Sequence, residues 1–310
     1  MGPLDSLRKR IVASATRPFG HAPYPLAESL SHAGDPGLFG PDSVSWRVIG
    51  DVSTFVGGIR ALLVQAAHPE VVAGVADHSR YREDPLGRLS RTSAYVTATT
   101  FGARPEVDRA VATVRRAHRP VRGRSHRDHP YTADEPAFAA WVHNALTESF
   151  LSAYQYFGPE PLQPDDADRF VQEQARIGRL LDADPLPESA EELHAWIAGH
   201  EQVAPSPGMT EAVDFLVSPP LDGAGMRLGY RLLQAAAVAT LPPRLREVLG
   251  VHRRAGAVRT GTALVGSLRW ALGYSPSWKL ALTRVGAPVP EELFRQPMPG
   301  QRAGSTGRPV

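Results

Sequence analysis

The sequence predicts an all-α protein with a single compact helical domain, and three observations predict it. Apolar residues recur at spacings of three and four through most of the stretch from Val56 to Gly286, the period of a helix with one buried face. Proline sits where one such stretch ends and the next begins, the position it favours at a first helical turn. No series of short alternating segments of β type appears, and there is no solenoid-type repeat.

Residues 1–45 are broken by Pro3, Pro18, Pro23, Pro25, Pro36 and Pro41 and read as an irregular N-terminal arm with room for one short helix. The helical domain is expected over 46–290. Its first clear helix runs from Val56 to Ala67, where Ile59, Leu62, Leu63, Ala66 and Ala67 share one face. His68-Pro69 breaks it and starts a second through Val71, Val72 and Val75, with the His68 ring expected to bond a nearby backbone carbonyl and His78 to do likewise. Asp84 as N-cap and Pro85 at the first position open a third helix that stops at Gly102. Pro105 opens a fourth, carrying Val107, Val111, Val114 and His118, and Pro120 with Gly123 closes it. A long helix covers 136–157, and further helical patterns cover 165–182, 188–200, 208–217, 224–240, 242–254, 257–273 and 276–286. The tail over 291–310, rich in Pro and Gly from Pro297 onward, reads as disordered.

Composition narrows the chemistry. Among 310 residues there is no cysteine, which excludes disulfides, iron–sulfur clusters, Cys-ligated zinc, thiolate-ligated haem and Cys nucleophiles. Of 34 basic residues only Lys9 and Lys279 are lysine; the rest are arginine, the side chain suited to bidentate anion contacts. A formal net charge of +2 is too balanced to indicate nucleic acid. No apolar run reaches the ~18 residues that a membrane span needs, and no signal-type apolar stretch follows Arg8, Lys9 and Arg10. The expectation is a cytoplasmic protein whose partner is a small molecule.

Several motifs fall away on inspection. Gly223, Gly225 and Gly229 lack both the spacing and the preceding strand of a dinucleotide loop. Glu191 and His194 form one E-x-x-H pair where a di-iron site needs two, and so read as a solvated helix face. His126 and His129 lie in a charged loop expected to face water.

Two features hold more information. On a helix, Arg88, Arg91, Thr92 and Tyr95 form one polar stripe, with Leu86, Leu89, Ser93 and Val96 on the other side. That stripe is either a solvated basic face or a grip for two carboxylates. His118 continues the apolar stripe of Val107, Val111 and Val114 into the last turn. It reads as a core histidine, as a histidine complementing the helix dipole, or as a neutral axial ligand presented from an apolar wall.

A set of blocks in order then carries a resemblance: Arg60 to Gln65 with Ala66-Ala67-His68-Pro69, Val72 to Val75 with His78-Ser79, Asp84 to Arg88 with Arg91-Thr92, Arg115-Arg116-Ala117-His118 with Val121-Arg122-Gly123, and Trp141-Val142-His143. Over residues 45–285, and most sharply over 57–158, the chain resembles the MpaB / latex-clearing-protein (rubber oxygenase) family. The resemblance implies a globin-like helical core that binds haem b, with His118 as the iron ligand and Arg88, Arg91 and Thr92 close to the haem as cofactor-binding and catalytic residues. His143 is the second candidate for a place at the cofactor. It further implies an oxygenase that uses O2 or peroxide on a small, mostly apolar substrate, the family reaction being oxidative cleavage of an isoprenoid C=C bond. A haem-binding sensor or carrier without turnover is the alternative. Latex-clearing proteins have lysine where this chain has Arg91. The pocket is expected to be mostly apolar and lined from the helices at 57–76, 86–100 and 136–157.

Overall fold

The computed structural model describes residues 3–16, 20–79, 82–221 and 223–299. Among them lie fourteen α-helices and one two-stranded antiparallel hairpin, so the chain is all-α and compact. The centre is α3 (Thr54–Ala66) packed along α7 (Pro136–Phe157). Their approach is close because Gly57 faces α7, where a Cβ would stand 2.7 Å from Phe150 Cδ1 and 3.2 Å from the Ser149 carbonyl oxygen. Trp141, Leu63, Val64, Phe157 and Ala61 are fully enclosed there, as burial on both sides of a central helix requires.

Around that pair are α2 (Val44–Gly50), α4 (Pro69–His78), α8 (Pro164–Arg179), α9 (Ala190–Gly199), α10 (Pro207–Val217), α11 (Ala224–Ala239) and α13 (Ala257–Leu272). On one flank α5 (Pro85–Phe101) and α6 (Arg104–His118), joined by Gly102 and Ala103, pack side by side as an antiparallel helical pair. The prolines do what the sequence predicts: nine of the described helices have one in the first turn. Asp84 caps α5 by accepting from Gly87 N at 2.9 Å, as expected.

The differences have local causes. α2 goes unpredicted, being only seven residues long, yet Ser43 caps it and six of its residues are buried. The hairpin of β1 (Arg122–Arg124) and β2 (Pro130–Thr132) is too short to show alternation. The helix expected over 242–254 is only α12 (Pro243–Val248), because the chain turns at Gly250 with φ +65°. The N-terminal arm holds α1 (Pro3–Thr16), whose Arg8 Nε donates to the Ala271 carbonyl of α13 at 3.2 Å. The arm's 20–43 segment is tied to the domain through Ser29, which accepts from Arg284 Nη1 at 2.7 Å on α14 (Pro276–Val285). The tail expected to be disordered from residue 291 is docked over its first part: Phe294 is buried against Trp278 and bridges Gly273. Residues 300–310 lie outside the described residues.

No single helix among the described residues is long and apolar enough to cross a membrane; the bent pair α2–α3 passes by length and composition alone and is largely core.

Candidate functional site

The α5–α6 flank brings the predicted residues onto one helical pair. The buried face of α5 runs through Gly87, Ser90, Ala98 and Phe101, with Ser90 Oγ accepting from Ala22 N at 2.9 Å. Leu86, Leu89, Ser93 and Val96 are half-buried, Arg88 is half-buried, and Arg91 and Thr92 are exposed. Arg91 Nη1 reaches back to Asp84 Oδ2 at 3.1 Å, and that guanidinium, with the Gly87 N–H, holds the Asp84 carboxyl below its ordinary range. Tyr95, one turn further on, sends its hydroxyl inward to a position without a hydrogen-bond partner, and burial pushes the phenol up.

On α6, Val107 and Val111 are buried, while Val114 and His118 are half-buried, so the apolar stripe opens outward as it nears the histidine. His118 is held toward the neutral form by loss of solvent, only partly opposed by Asp134. Its ring has no hydrogen bond among the described residues. His143 contrasts with it. That ring is enclosed between α7 and α8, bonded to the Gln174 backbone and near Thr147 Oγ1 at 3.4 Å, and burial lowers it to about 4. A Cβ at Gly178 would stand 2.9 Å from its Cδ2, so no room remains beside the ring.

A cavity of about 920 Å³ lies elsewhere. It is bounded by the α3–α4 break, the hairpin, the start of α7 and the end of α9. None of Arg88, Arg91, Thr92, His118 and His143 lines it. Its walls come from residues 68 and 70, the hairpin, the start of α7 and α9, with none from 86–100. His68 lines it, and its Nδ1 stands 3.4 Å from Glu70 Oε2 without hydrogen-bond geometry. Burial, then His200, brings His68 down to about 4. Glu70 accepts from Ser125 Oγ at 2.8 Å and from Arg127 Nη2 at 2.6 Å; these bonds outweigh the upward push of burial and keep it ionised. His78 behaves as expected, with Nε2 3.1 Å from the Arg122 carbonyl oxygen.

Glu191 and His194 both lie on an exposed helix face, as expected, and His194 Nδ1 also stands 3.2 Å from Glu148 Oε1 at the edge of a network around Arg60. Arg60 Nη2 donates to Glu148 Oε1 at 2.8 Å, Arg60 Nη1 to Glu148 Oε2 and to Ser149 Oγ, the last at 2.9 Å. This pair fastens α3 to α7. The sequence reading missed Trp196 and His200 as cavity residues, although their i, i+4 spacing places both on one helix face.

Tested against haem b, the α5–α6 flank fits in the kind of donors it offers. It has a neutral imidazole with a free ring, two arginines of a type that pairs with propionates, and the orphaned Tyr95 hydroxyl inside. Among the described residues no cluster of three or more His, Asp or Glu side chains is placed to hold a bare metal ion.

Residues 46–270 match the family model described as ER-bound oxygenase mpaB/B'/rubber oxygenase, catalytic domain. Comparisons with curated proteins and with solved structures gave no match.

Proposed function

The chain belongs to the ER-bound oxygenase mpaB/B'/rubber oxygenase catalytic-domain family, and from that premise we propose that it is a haem b-dependent oxygenase acting on a small, mostly apolar substrate. The observation that carries the reading is His118: a half-buried imidazole, held neutral and free of hydrogen bonds, at the open end of an apolar helix stripe. A neutral nitrogen lone pair is what an iron porphyrin takes as proximal ligand. Haem, when bound, supplies the redox-active iron through which dioxygen reacts, the family-type outcome being cleavage of an isoprenoid C=C bond to two carbonyls.

The protein's own residues have separate tasks. His118 holds the iron. Arg88 and Arg91 offer guanidinium N–H groups to the propionate carboxylates, and Arg91 exchanges its Asp84 partner to do so. Thr92, on the same turn, offers a hydroxyl as donor or acceptor. Half-buried Leu86, Leu89 and Val96 give the macrocycle and an apolar substrate a surface that excludes water. The arrangement of the remaining helices follows a globin-like plan in this proposal, with α5 and α6 bracketing the cofactor.

The test is a spectrum followed by a turnover assay. Purified or haem-reconstituted protein should show a Soret band, bind CO when reduced, and convert an unsaturated isoprenoid to carbonyl products under air. Haem binding with no turnover on any such substrate would favour a sensor or carrier. A protein that stays colourless after haem supplementation would overturn the reading.

A further inference from the structure

The cavity between α4, the hairpin, α7 and α9 is not used by the proposed oxygenase chemistry, and its composition is lopsided. Four glutamates line it, Glu70, Glu135, Glu192 and Glu201, and no lysine or arginine does, in a chain with 34 basic and 32 acidic residues. Arg127 neutralises Glu70, bonding both of its carboxylate oxygens. Glu135, Glu192 and Glu201 form no ion pair among the described residues. Arg244 bears on His200 electrostatically and donates to the Ala198 carbonyl oxygen at 3.3 Å. Even counting it, the wall keeps an excess of negative charge.

Aromatic and imidazole rings make up much of the remaining wall. Trp196 and Phe138 face the cavity, and behind them Trp141 packs on Trp196 at 5.7 Å between ring centroids. His200 packs tilted against Trp141 and edge-on against Trp196, each at 4.6 Å between centroids, and His68 lies 5.5 Å from Phe138. His68 is only 2% exposed, lines the cavity and leaves Nδ1 without a hydrogen-bond partner; His200 Nδ1 is also buried and unpartnered. Both imidazoles are kept neutral by burial, so neither adds a positive charge and each has a lone pair to offer. Aromatic faces beside unpaired carboxylates attract cations, through the ring quadrupole and through simple charge.

We propose that this cavity binds an organic ammonium ion with an apolar body, its cationic head held by Trp196, Glu192 and Glu201 and its body resting on Phe138 and the imidazoles. The volume of about 920 Å³ suits a ligand of ordinary metabolite size. This site is separate from the α5–α6 flank, so it stands whether or not haem occupies that flank.

The experiment compares phenethylammonium with 2-phenylethanol, two molecules of nearly the same shape that differ in charge, by calorimetry and tryptophan fluorescence on the full chain. Phenethylammonium should bind at least tenfold more tightly than the alcohol and perturb tryptophan emission. The Glu192→Gln/Glu201→Gln double variant, altered at surface positions, should keep its circular dichroism spectrum and lose at least tenfold in affinity for the amine. Trp196→Leu should lose a comparable factor. Equal affinity for amine and alcohol, unchanged affinity in the charge variant, or no saturable amine binding by folded protein at millimolar concentration would each overturn the proposal.

Discussion

The α3–α7 seam and the α5–α6 flank each carry an arginine–carboxylate pair, and the two pairs do different work. Arg60 and Glu148 are 0% and 2% exposed, with Ser149, Ser152 and His194 completing their hydrogen bonds. Arg91 and Asp84 are 59% and 44% exposed, bonded to one another and to a helix N-terminus. The first pair has no solvent to fall back on, so it must stay intact and it fixes two helices in register. The second exchanges with water at little cost and is available to a ligand. The same contrast holds for the histidines. His143, in the seam, is enclosed and bonded; His118, on the flank, is neutral and unbonded. Scaffold and site are separated by burial, and the residue types are the same in both.

That separation can be broken experimentally, most severely at Glu148. Glu148→Ala leaves the Arg60 guanidinium buried without its counter-ion and should destabilise the fold by about 3–5 kcal/mol in urea denaturation. A loss below about 1 kcal/mol would mean that the seam does not depend on this pair. Next comes the enclosed histidine. Its folded-state value of about 4 lies under the ordinary 6.5, so the unfolded chain binds the proton first as pH falls. The sign follows: stability is intact above pH 6.5 and drains away between 6.5 and about 4, by on the order of 3 kcal/mol. His143→Leu should reduce that slope, leaving the share contributed by His68, whereas an unaltered slope would place the acid sensitivity elsewhere.

Smaller effects sharpen the same contrast. Gly57→Ala pushes a methyl group into Phe150 and the Ser149 carbonyl, and should cost about 1–3 kcal/mol with the helix content retained. A stabilising effect, as for a solvent-facing helical glycine, would show that the seam is looser than it is drawn. Smallest of all, Arg91→Ala should leave the thermal midpoint unchanged within error while weakening retention of haem in a competition assay with apomyoglobin. A large fall in the midpoint would move Arg91 from site to scaffold.

The fold was legible where local chemistry acts alone. Asp84-Pro85 and Gly102 bound α5, His68-Pro69 separates α3 from α4, and Pro136 opens α7, each through a cap or a missing N–H that neighbours in sequence suffice to explain. What escaped depends on residues distant in sequence. Arg60 meets Glu148 across 88 positions, and no periodicity says which face of α3 will turn toward which face of α7. Phe294 docks because Trp278 and Gly273 make room for it, while its own surroundings in sequence are polar and proline-rich. At the candidate site, the position of His118 at the end of α6 was readable from spacing, but the buried face of α5 runs through Gly87, Ser90, Ala98 and Phe101, not along the side opposite the predicted polar stripe. The cavity was not, since its wall is assembled from a helix break, a hairpin and two helix ends that only tertiary packing brings together.

The central claim is that the flank histidine, and no enclosed one, holds the cofactor. The direct measurement is the absorption spectrum of haem-reconstituted wild type, His118→Ala and His143→Leu, each checked for helix content by circular dichroism. The account predicts a Soret band in wild type that persists in His143→Leu and is lost or strongly shifted in His118→Ala. A His118→Ala protein with an unaltered Soret band would contradict it.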